Sequence, residues 1–428
     1  MTMEIAGTAR ETRFPDRGFI AYWSALGVSQ LGSAVSMVAV PLIGVVTLGA
    51  TPGQMTWLAF MELAPCLLVR LPAAAWSDSL RDRVPYMIAC NAVQAAVMAL
   101  IPVLWWAGVL SLATLLPLAG LASLALGVYS SLSSPLLVQI VPAEHLVDAN
   151  GKTSATRSVA DISGPAIGSA LMSVVALPLV VLIDAASFVA SALLLTRVRP
   201  VPAREGGAPP GEAGTGRGRA TRGAVRDVCT LGVALVRRSG MRAGCAVAFV
   251  NGIMQPVLVL FMVHDLRLAP SAIGLLLGLG AFGGITGGLT VGRIIGRRGG
   301  GRTLAIGTVI SLCAPALLPF GGPGVTGAAT VVAFELCGSF GGTLMIATIF
   351  GALQAAAGEG SVAKVMALAG TLLQVATLCG VFVGGLLGTF AGPRGAVATG
   401  AALLLVTLVP QLVRWSAARW TIDPMEIR

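Results

Sequence analysis

The sequence has little charge and few aromatic side chains. Only 11% of its 428 residues are charged and 5% are aromatic, whereas 56% are hydrophobic. A soluble globular protein carries about 25% charged residues, so this chain has too few to cover the surface of a water-soluble fold. Intrinsic disorder is excluded as well, because disordered chains are poor in apolar residues. The composition therefore predicts an integral membrane protein.

Residues typical of metal sites and disulfide frameworks are also scarce. The chain has two histidines and seven cysteines, an odd number with no C-x-x-C pair. We expect small buried thiols, no metal and no cofactor. The sequence also lacks a P-loop, an H-E-x-x-H motif and a nucleophile elbow. It therefore predicts neither an enzyme nor an ATP-driven pump.

Long continuous apolar stretches make up most of the chain. A membrane helix needs about 20 apolar residues, and the alternation typical of a membrane β-barrel is missing. We predict an all-α membrane protein with 12 transmembrane helices in two six-helix halves. The expected boundaries are an N-terminal tail at 1–18, a first half at 19–196, a linker at 197–239, a second half at 240–415 and a C-terminal tail at 416–428.

The basic residues indicate the orientation of these helices. Of 28 lysines and arginines, 25 fall in every second loop; the others are Arg70, inside a span, and Arg267 and Arg394 in the opposite loops. Basic loops remain in the cytoplasm, which predicts a multi-pass protein of the cell membrane with both termini cytoplasmic. This distribution also accounts for the net charge of +10 without a nucleic-acid partner.

The middle of the chain separates two related halves. Residues 204–219 are rich in glycine and proline, as expected for a flexible cytoplasmic linker. LPAAAWSDSLRDR at 71–83 and GGLTVGRIIGRR at 287–298 occupy corresponding loops, with Asp78 and Gly292 in matching places. Transporters built from such repeats bind their ligands near the membrane midplane between the halves.

Ionisable residues inside spans are the strongest functional candidates. Each costs about 2.5–3.5 kcal/mol at a helix centre, so such residues are usually paired or functional. We expect proton coupling at Glu62 and Glu335 first, because neither has a basic residue within a turn. Asp161, which follows Arg157 by four residues, is equally consistent with a local ion pair, and Asp184 with a hydrogen bond to backbone.

Uncharged polar residues and one arginine inside spans could line a substrate cavity. Arg70 could offset a carboxylate or attract an anionic part of the substrate. The candidate cavity residues are Gln30, Arg70, Asn91, Gln94, Asn251, Gln255, Gln354 and Gln374.

Four stretches, in this order, resemble one transporter family. They are SQLGSAVSMVAVPL at 29–42, VPAEHLVDANGK at 141–152, GPAIGS at 164–169 and IDAASF at 183–188. Together they resemble the major facilitator superfamily over nearly the whole chain. The likeness is strongest to its drug- and siderophore-exporting branch, which includes macrolide-efflux and enterobactin-export proteins.

The resemblance implies roles for two motifs. GPAIGS is similar to an antiporter motif through Gly164, Pro165 and Gly168, although packing of small residues between helices explains it equally well. The gating loop motif of the family corresponds to Asp78, Arg81 and Arg83, and in the second half to Arg293, Arg297 and Arg298. Ala74, Ser79, Asp82 and Gly292 depart from the family pattern.

The expected function is secondary active transport. The resemblance implies a proton-coupled efflux antiporter that exports an antibiotic-like or other amphiphilic small molecule by alternating access. A siderophore exporter or a small-molecule importer of the same fold remains an alternative, and a non-transporting receptor a more distant one. We expect a functional monomer in the lipid bilayer, with protons and the substrate as its ligands.

Overall fold

The computed structural model describes residues 15–198, 239–356 and 362–417. Within these ranges every regular element is a helix. Most of the predicted linker and most of both predicted tails lie outside the described residues.

The first half contains six helices. α1 continues into a π-helical turn, Ile43–Thr47. The six are α1 (Arg17–Leu42), α2 (Pro52–Asp78), α3 (Val84–Trp106), α4 (Leu112–Ile140), α5 (Leu146–Met172) and α6 (Leu177–Leu195).

The second half contains six more helices, the last two of which form one continuous element, Val362–Ala417. Gly392 interrupts that element with φ 70° and ψ 170°, a backbone conformation that glycine adopts readily and residues with a Cβ avoid. The six are α7 (Ser239–His264), α8 (Pro270–Arg298), α9 (Gly300–Cys313, continued by a 3₁₀ turn at Ala314–Phe320), α10 (Val325–Ala356), α11 (362–391) and α12 (393–417).

Local sequence signals set several of the helix boundaries. Asp16 caps α1, since its Oδ1 accepts a hydrogen bond from Phe19 N at 2.7 Å. Thr51 and Gln54 form a capping box at the start of α2, where Pro52 occupies the first helical position. α2 later bends by about 40° between Arg70 and Pro72, as expected for a proline inside a helix.

The described helices are long enough to cross a membrane repeatedly. Nine pass a test of length and hydropathy, and the bent α2 makes a tenth. One of the nine runs across Gly392 and so contains both α11 and part of α12. α5 fails the test because its first half is polar, with Asp148, Lys152 and Arg157. These helices give the predicted total of twelve in the described part of the chain.

The two ends of the bundle pack differently. At one end lie the basic turns of α2–α3 and α8–α9, with Arg81 and Arg298, and we name it the basic end. At the other end, the closed end, one apolar cluster joins both halves, from Val38 and Leu58 to Val257 and Phe261. Towards the basic end the buried apolar residues form two separate clusters, one in each half. The halves therefore meet at the closed end and part towards the basic end.

Candidate transport site

A polar cavity of about 170 Å³ lies inside the first half. Five different helices each contribute polar side chains to an otherwise apolar lining. We call it the first-half cavity; its polar residues are Ser33 and Ser36 of α1, Glu62 of α2, Gln94 of α3, Ser123 of α4 and Asp184 of α6.

Asp184 is the most deeply buried acid of this cavity, with 1% of its surface exposed. Its Oδ1 accepts hydrogen bonds from Ser187 Oγ at 3.3 Å and Ser33 Oγ at 3.4 Å. Gly32 makes room for this group, because a Cβ there would lie 2.7 Å from Asp184 Oδ1 and clash with Ser187 Oγ. The carboxyl thus fits against bare backbone of α1. Within the described residues its hydrogen bonds come from serine hydroxyls and not from the backbone, which was the alternative that the sequence suggested.

Glu62 of α2 also lines the first-half cavity. Ser123 Oγ donates to the carbonyl oxygen of Glu62 at 2.7 Å and accepts from Cys66 N at 3.2 Å, which fixes α4 against this turn of α2. None of the ion pairs formed within the described residues involves Glu62. The contacts with Ser123 thus fix the backbone that carries this carboxyl.

A larger cavity, of about 520 Å³, lies inside the second half. Its apolar lining includes Phe334, Ile346 and Ala347 of α10. We call it the second-half cavity; its polar residues are Asn251 of α7, Ser311 of α9, and Glu335, Ser339 and Thr343 of α10.

Glu335 is the one acid among the residues that line the second-half cavity. α8 passes close to it, since a Cβ on Gly280 would lie 2.5 Å from Glu335 Oε2. Ser339 and Thr343 follow Glu335 at intervals of four residues and so share its helix face. The cavity combines one carboxyl, a stripe of hydroxyls and apolar walls.

The acid of α5 is placed differently from the other three candidates. Asp161 is exposed, and no ion pair joins it to Arg157 within the described residues, so the local ion pair that the sequence left as one of two alternatives is not formed in this conformation. Arg157 instead donates from Nη2 and Nε to the side-chain oxygen of Gln30, at 3.1 and 3.2 Å, in the amide orientation that satisfies both groups. Gln30 thereby links α1 to α5.

Of the remaining candidate cavity residues, two line the cavities and the rest do not. Gln94 lines the first-half cavity and Asn251 the second-half cavity. Asn91 is buried and donates to Ser191 Oγ at 2.9 Å, which joins α3 to α6. The side chains outside both linings are Arg70, Gln255 and Gln354, all exposed, and Gln374, which is half-buried.

The gating loop motif makes few contacts in this conformation. Arg83 is buried and its Nε donates to Ser77 Oγ at 3.2 Å, whereas Asp78 and Arg81 are exposed. Arg293, Arg297 and Arg298 are exposed at the end of α8. Among the described residues Asp78 forms no ion pair, so the latch that the motif predicts is not engaged here.

The antiporter-like motif lies at close helix contacts. A Cβ on Gly164 would clash with Ala34 of α1, and one on Gly168 would lie 3.3 Å from Val35 Cγ1. On the other face of α5, Pro165 O is 3.1 Å from the Cβ position of Gly274 of α8. The motif therefore packs α5 against both its own half and the opposite half.

The closed end is held by contacts between α2 and α11. A Cβ on Gly385 would overlap Thr56 Oγ1 and lie 2.6 Å from Thr56 Cβ, while one on Gly388 would lie 2.7 Å from Pro52 Cβ. The ring of Phe382 packs against Phe60 and Trp57, with centroids 5.2 and 6.0 Å apart. Glycines on α11 thus allow the two halves to approach closely.

The family assignment agrees with this architecture. The sequence model of the Major Facilitator Superfamily matches residues 22–377, and a second match covers 243–421. The chain belongs to the major facilitator superfamily. No curated protein matches the sequence significantly.

Solved structures of the superfamily share this fold. The nucleoside transporter NupG is 13% identical and superimposes with a TM-score of 0.71 over 94% of this chain and 99% of that chain. A bacterial homologue of the iron transporter ferroportin, in an inward-facing state, is 16% identical with a TM-score of 0.68 over 94% and 98%. A bacterial homologue of the human lysosomal transporter Spinster, also inward-facing, is 16% identical with a TM-score of 0.66 over 94% and 96%. At these identities the likeness establishes the fold of a membrane transporter.

Sequence reasoning missed the hydroxyl residues of both cavities. Ser33 and Ser36 lie three residues apart on α1, and Glu335, Ser339 and Thr343 four residues apart on α10. Helical spacing of small hydroxyls next to an acid was a usable signal. Single serines are common in membrane helices, so it becomes distinctive only when the spacing is considered together with the acid.

Proposed function

We propose that this member of the superfamily is a proton-coupled antiporter that exports an amphiphilic small molecule. The observation that supports it most is the second-half cavity, where the carboxyl of Glu335 lies among apolar and hydroxyl side chains. Ligand pockets for small molecules measure about 300–1,000 Å³ and are mostly apolar with a few polar groups. A cavity of about 520 Å³ fits that class.

The charge of the cavity favours a cationic centre in the substrate. No lysine, arginine or histidine is among the residues that line the second-half cavity in the described part of the chain. A carboxylate at that depth is expensive unless it is protonated or paired. A proton and the cationic group of a substrate would therefore compete for Glu335, which is the exchange that an antiporter requires.

The conformation is consistent with export. The halves part towards the basic end, which we expect to face the cytoplasm. Substrate would then enter from the cytoplasm in this state, and closure of the basic end would release it outside. Asp161 and Asp184 remain secondary candidates for proton coupling, and we place the protein in the cell membrane as a monomer.

Transport in everted membrane vesicles tests this proposal. With an acidic lumen, vesicles containing the protein should accumulate a fluorescent amphiphilic cation such as ethidium. Glu335→Gln should lose both accumulation and affinity for the cation, because the neutral amide cannot balance its charge. Glu62→Gln should lose accumulation but retain energy-independent exchange, since exchange requires no net proton movement.

The matched control is Asp265→Asn, an acid of the second half outside the spans. Burial raises the pKa of Asp265 above its ordinary value, and the neighbouring Arg394 and His264 partly offset this rise. Asp265→Asn should transport normally.

Normal pumping by both Glu→Gln variants would refute the assignment of the acids. Accumulation only in right-side-out vesicles would instead favour an importer.

A further inference from the structure

The first-half cavity is too small for the substrate that the second-half cavity could hold. Its volume of about 170 Å³ is below that of small-molecule pockets. One water molecule takes about 30 Å³ of liquid volume, so the space suits an ion with a few waters. Polar groups from five helices nevertheless converge on it.

Among the described residues, the polar side chains of this mostly apolar lining include no positively charged group. Glu62 and Asp184 are its two ionisable side chains, and the other polar groups are serines and one glutamine. The other ionisable side chains of the surrounding helices lie outside this lining in the described part of the chain. They include Tyr22 on α1, Cys66 and Arg70 on α2, Cys90 on α3, Tyr129 on α4, and Arg157 and Asp161 on α5, which packs against α1. Nothing in the lining neutralises the two carboxyls.

Ser36 is a second and independent sign of a missing ligand. Its side chain is 5% exposed, lines the cavity and approaches the carboxyl of Asp184, but its Oγ is not close enough or well enough aligned to make a hydrogen bond within the described part of the chain. A buried hydroxyl without a partner is unfavourable and calls for an explanation such as an ion. The hydroxyl of Ser33 reaches Asp184 Oδ1 only at 3.4 Å, and that of Ser187, 3.3 Å from Oδ1, donates its shorter hydrogen bond, of 2.8 Å, to the backbone carbonyl oxygen of Asp184.

We propose that the first-half cavity is a binding site for a sodium ion. Carboxylate and hydroxyl oxygens suit a hard cation, and the ligands would be drawn from Asp184, Glu62, Ser33 and Ser36. The choice of a monovalent ion rests on the proposed proton coupling. Sodium replaces a proton one for one and leaves the charge of the site unchanged, whereas a divalent ion would add a positive charge.

The site predicts competition between sodium and protons. A protonated carboxyl has lost the negative charge that attracts a cation and offers fewer free lone pairs, so sodium should bind better at mildly alkaline than at mildly acidic pH. A ligand that binds only the folded state raises its thermal stability. Purified protein in excess NaCl should unfold a few degrees higher than in KCl or choline chloride, and this difference should shrink in acid.

Two variants and one matched control locate the effect. Asp184→Asn should abolish the sodium-specific shift, and the milder Ser36→Ala should weaken it while leaving the fold intact. Ser339→Ala removes a comparable hydroxyl from the second-half cavity and should leave the shift unchanged.

Several results would overturn the sodium site. Equal unfolding temperatures in all three salts at alkaline pH would do so, as would an equal loss of the shift in Ser339→Ala. A shift in unfolding temperature produced by low calcium concentrations but not by sodium would reject the monovalent assignment.

Transport driven by a pH gradient in sodium-free buffer tests the proposed function separately. If such transport persists without any sodium effect, only this inference is wrong.

Discussion

Replacing Gly385 by alanine should shift the protein away from the conformation described here. Gly385 of α11 faces Thr56 of α2 across the two halves, and a Cβ there would overlap Thr56 Oγ1. The contact lies at the closed end, so it must break whenever that end opens. A methyl group added at this point raises the free energy of the conformation in which the two halves meet at the closed end. It has no such effect on a conformation in which they separate there.

The size of the shift follows from the cost of overpacking. Forcing an extra methyl into a well-packed contact costs about 1–3 kcal/mol. Each 1.4 kcal/mol changes an equilibrium constant about tenfold, so the ratio of the two conformations should change by about 5- to 150-fold. Gly385→Ala should therefore populate the alternative conformation, in which the two halves separate at the Thr56–Gly385 contact and approach each other at the basic end.

Distances between spin labels measure this shift directly. In a background without native cysteines, one pair of labels at Thr51 and Phe390 spans the closed end, and another at Asp82 and Arg298 spans the basic end; all four residues are exposed. The first distance should lengthen in Gly385→Ala and the second should shorten. Thr56→Gly combined with Gly385→Ala exchanges the small and large partners and should restore the original distances.

The neighbouring glycine provides the control. Gly384 also lies on α11, but its Cβ would clash with Ile253 of α7, within the same half. Gly384→Ala should lower thermal stability without moving either distance, because that contact persists in both conformations. Unchanged distances in a well-expressed Gly385→Ala, or an equal shift in Gly384→Ala, would refute the reasoning.

Two further predictions concern Asp184 and the orientation in the membrane. Gly32→Ala should push Asp184 and Ser187 away from α1, remove the sodium-specific stabilisation and cost about 1–3 kcal/mol in unfolding free energy. Gly151→Ala, where a Cβ meets nothing within 4 Å, should leave both unchanged. Cysteines placed at Gly214 and at Arg394 should react with impermeant maleimide from opposite faces of the membrane, because positive loops stay inside. Labelling of both from outside intact cells would contradict the predicted topology.

The fold was predictable from the sequence because its signals are additive along the chain. Hydropathy, the alternation of basic loops and the repeated loop motif are each evident from short stretches of sequence, and together they indicated twelve helices in two halves. α5 shows the limit of that approach. It fails a simple hydropathy test because of Asp148, Lys152 and Arg157, yet Gly164 and Gly168 pack it closely against α1. The motif at 164–169 lies at this contact, so it marks where α5 packs although it does not define the span.

The candidate site was only partly predictable, for a geometric reason. Intramembrane acids are rare and expensive, so Glu62, Asp184 and Glu335 were evident from burial costs alone. Which helix faces meet in three dimensions is not encoded by any single segment. The sequence therefore could not tell that Gln94 lines a cavity while Asn91, one turn earlier, donates to Ser191. It also could not separate one ion-sized cavity from one substrate-sized cavity.

The two cavities each lie within one half, so a ligand can influence the other half only through helices that touch both. Residues 33–36 of α1 provide such a connection. Ser33 and Ser36 line the first-half cavity, while Ala34 and Val35 between them pack against Gly164 and Gly168 of α5.

α5 in turn contacts α8 of the second half through Pro165 and through Ser169, whose hydroxyl donates to the carbonyl oxygen of Ser271. A cation that draws Ser33 and Ser36 towards Asp184 would also move residues 34 and 35 of α1, which pack against α5 and so affect its contact with the opposite half. The antiporter-like motif would then be the mechanical link between ion binding and closure, and its packing role and its functional role would be the same.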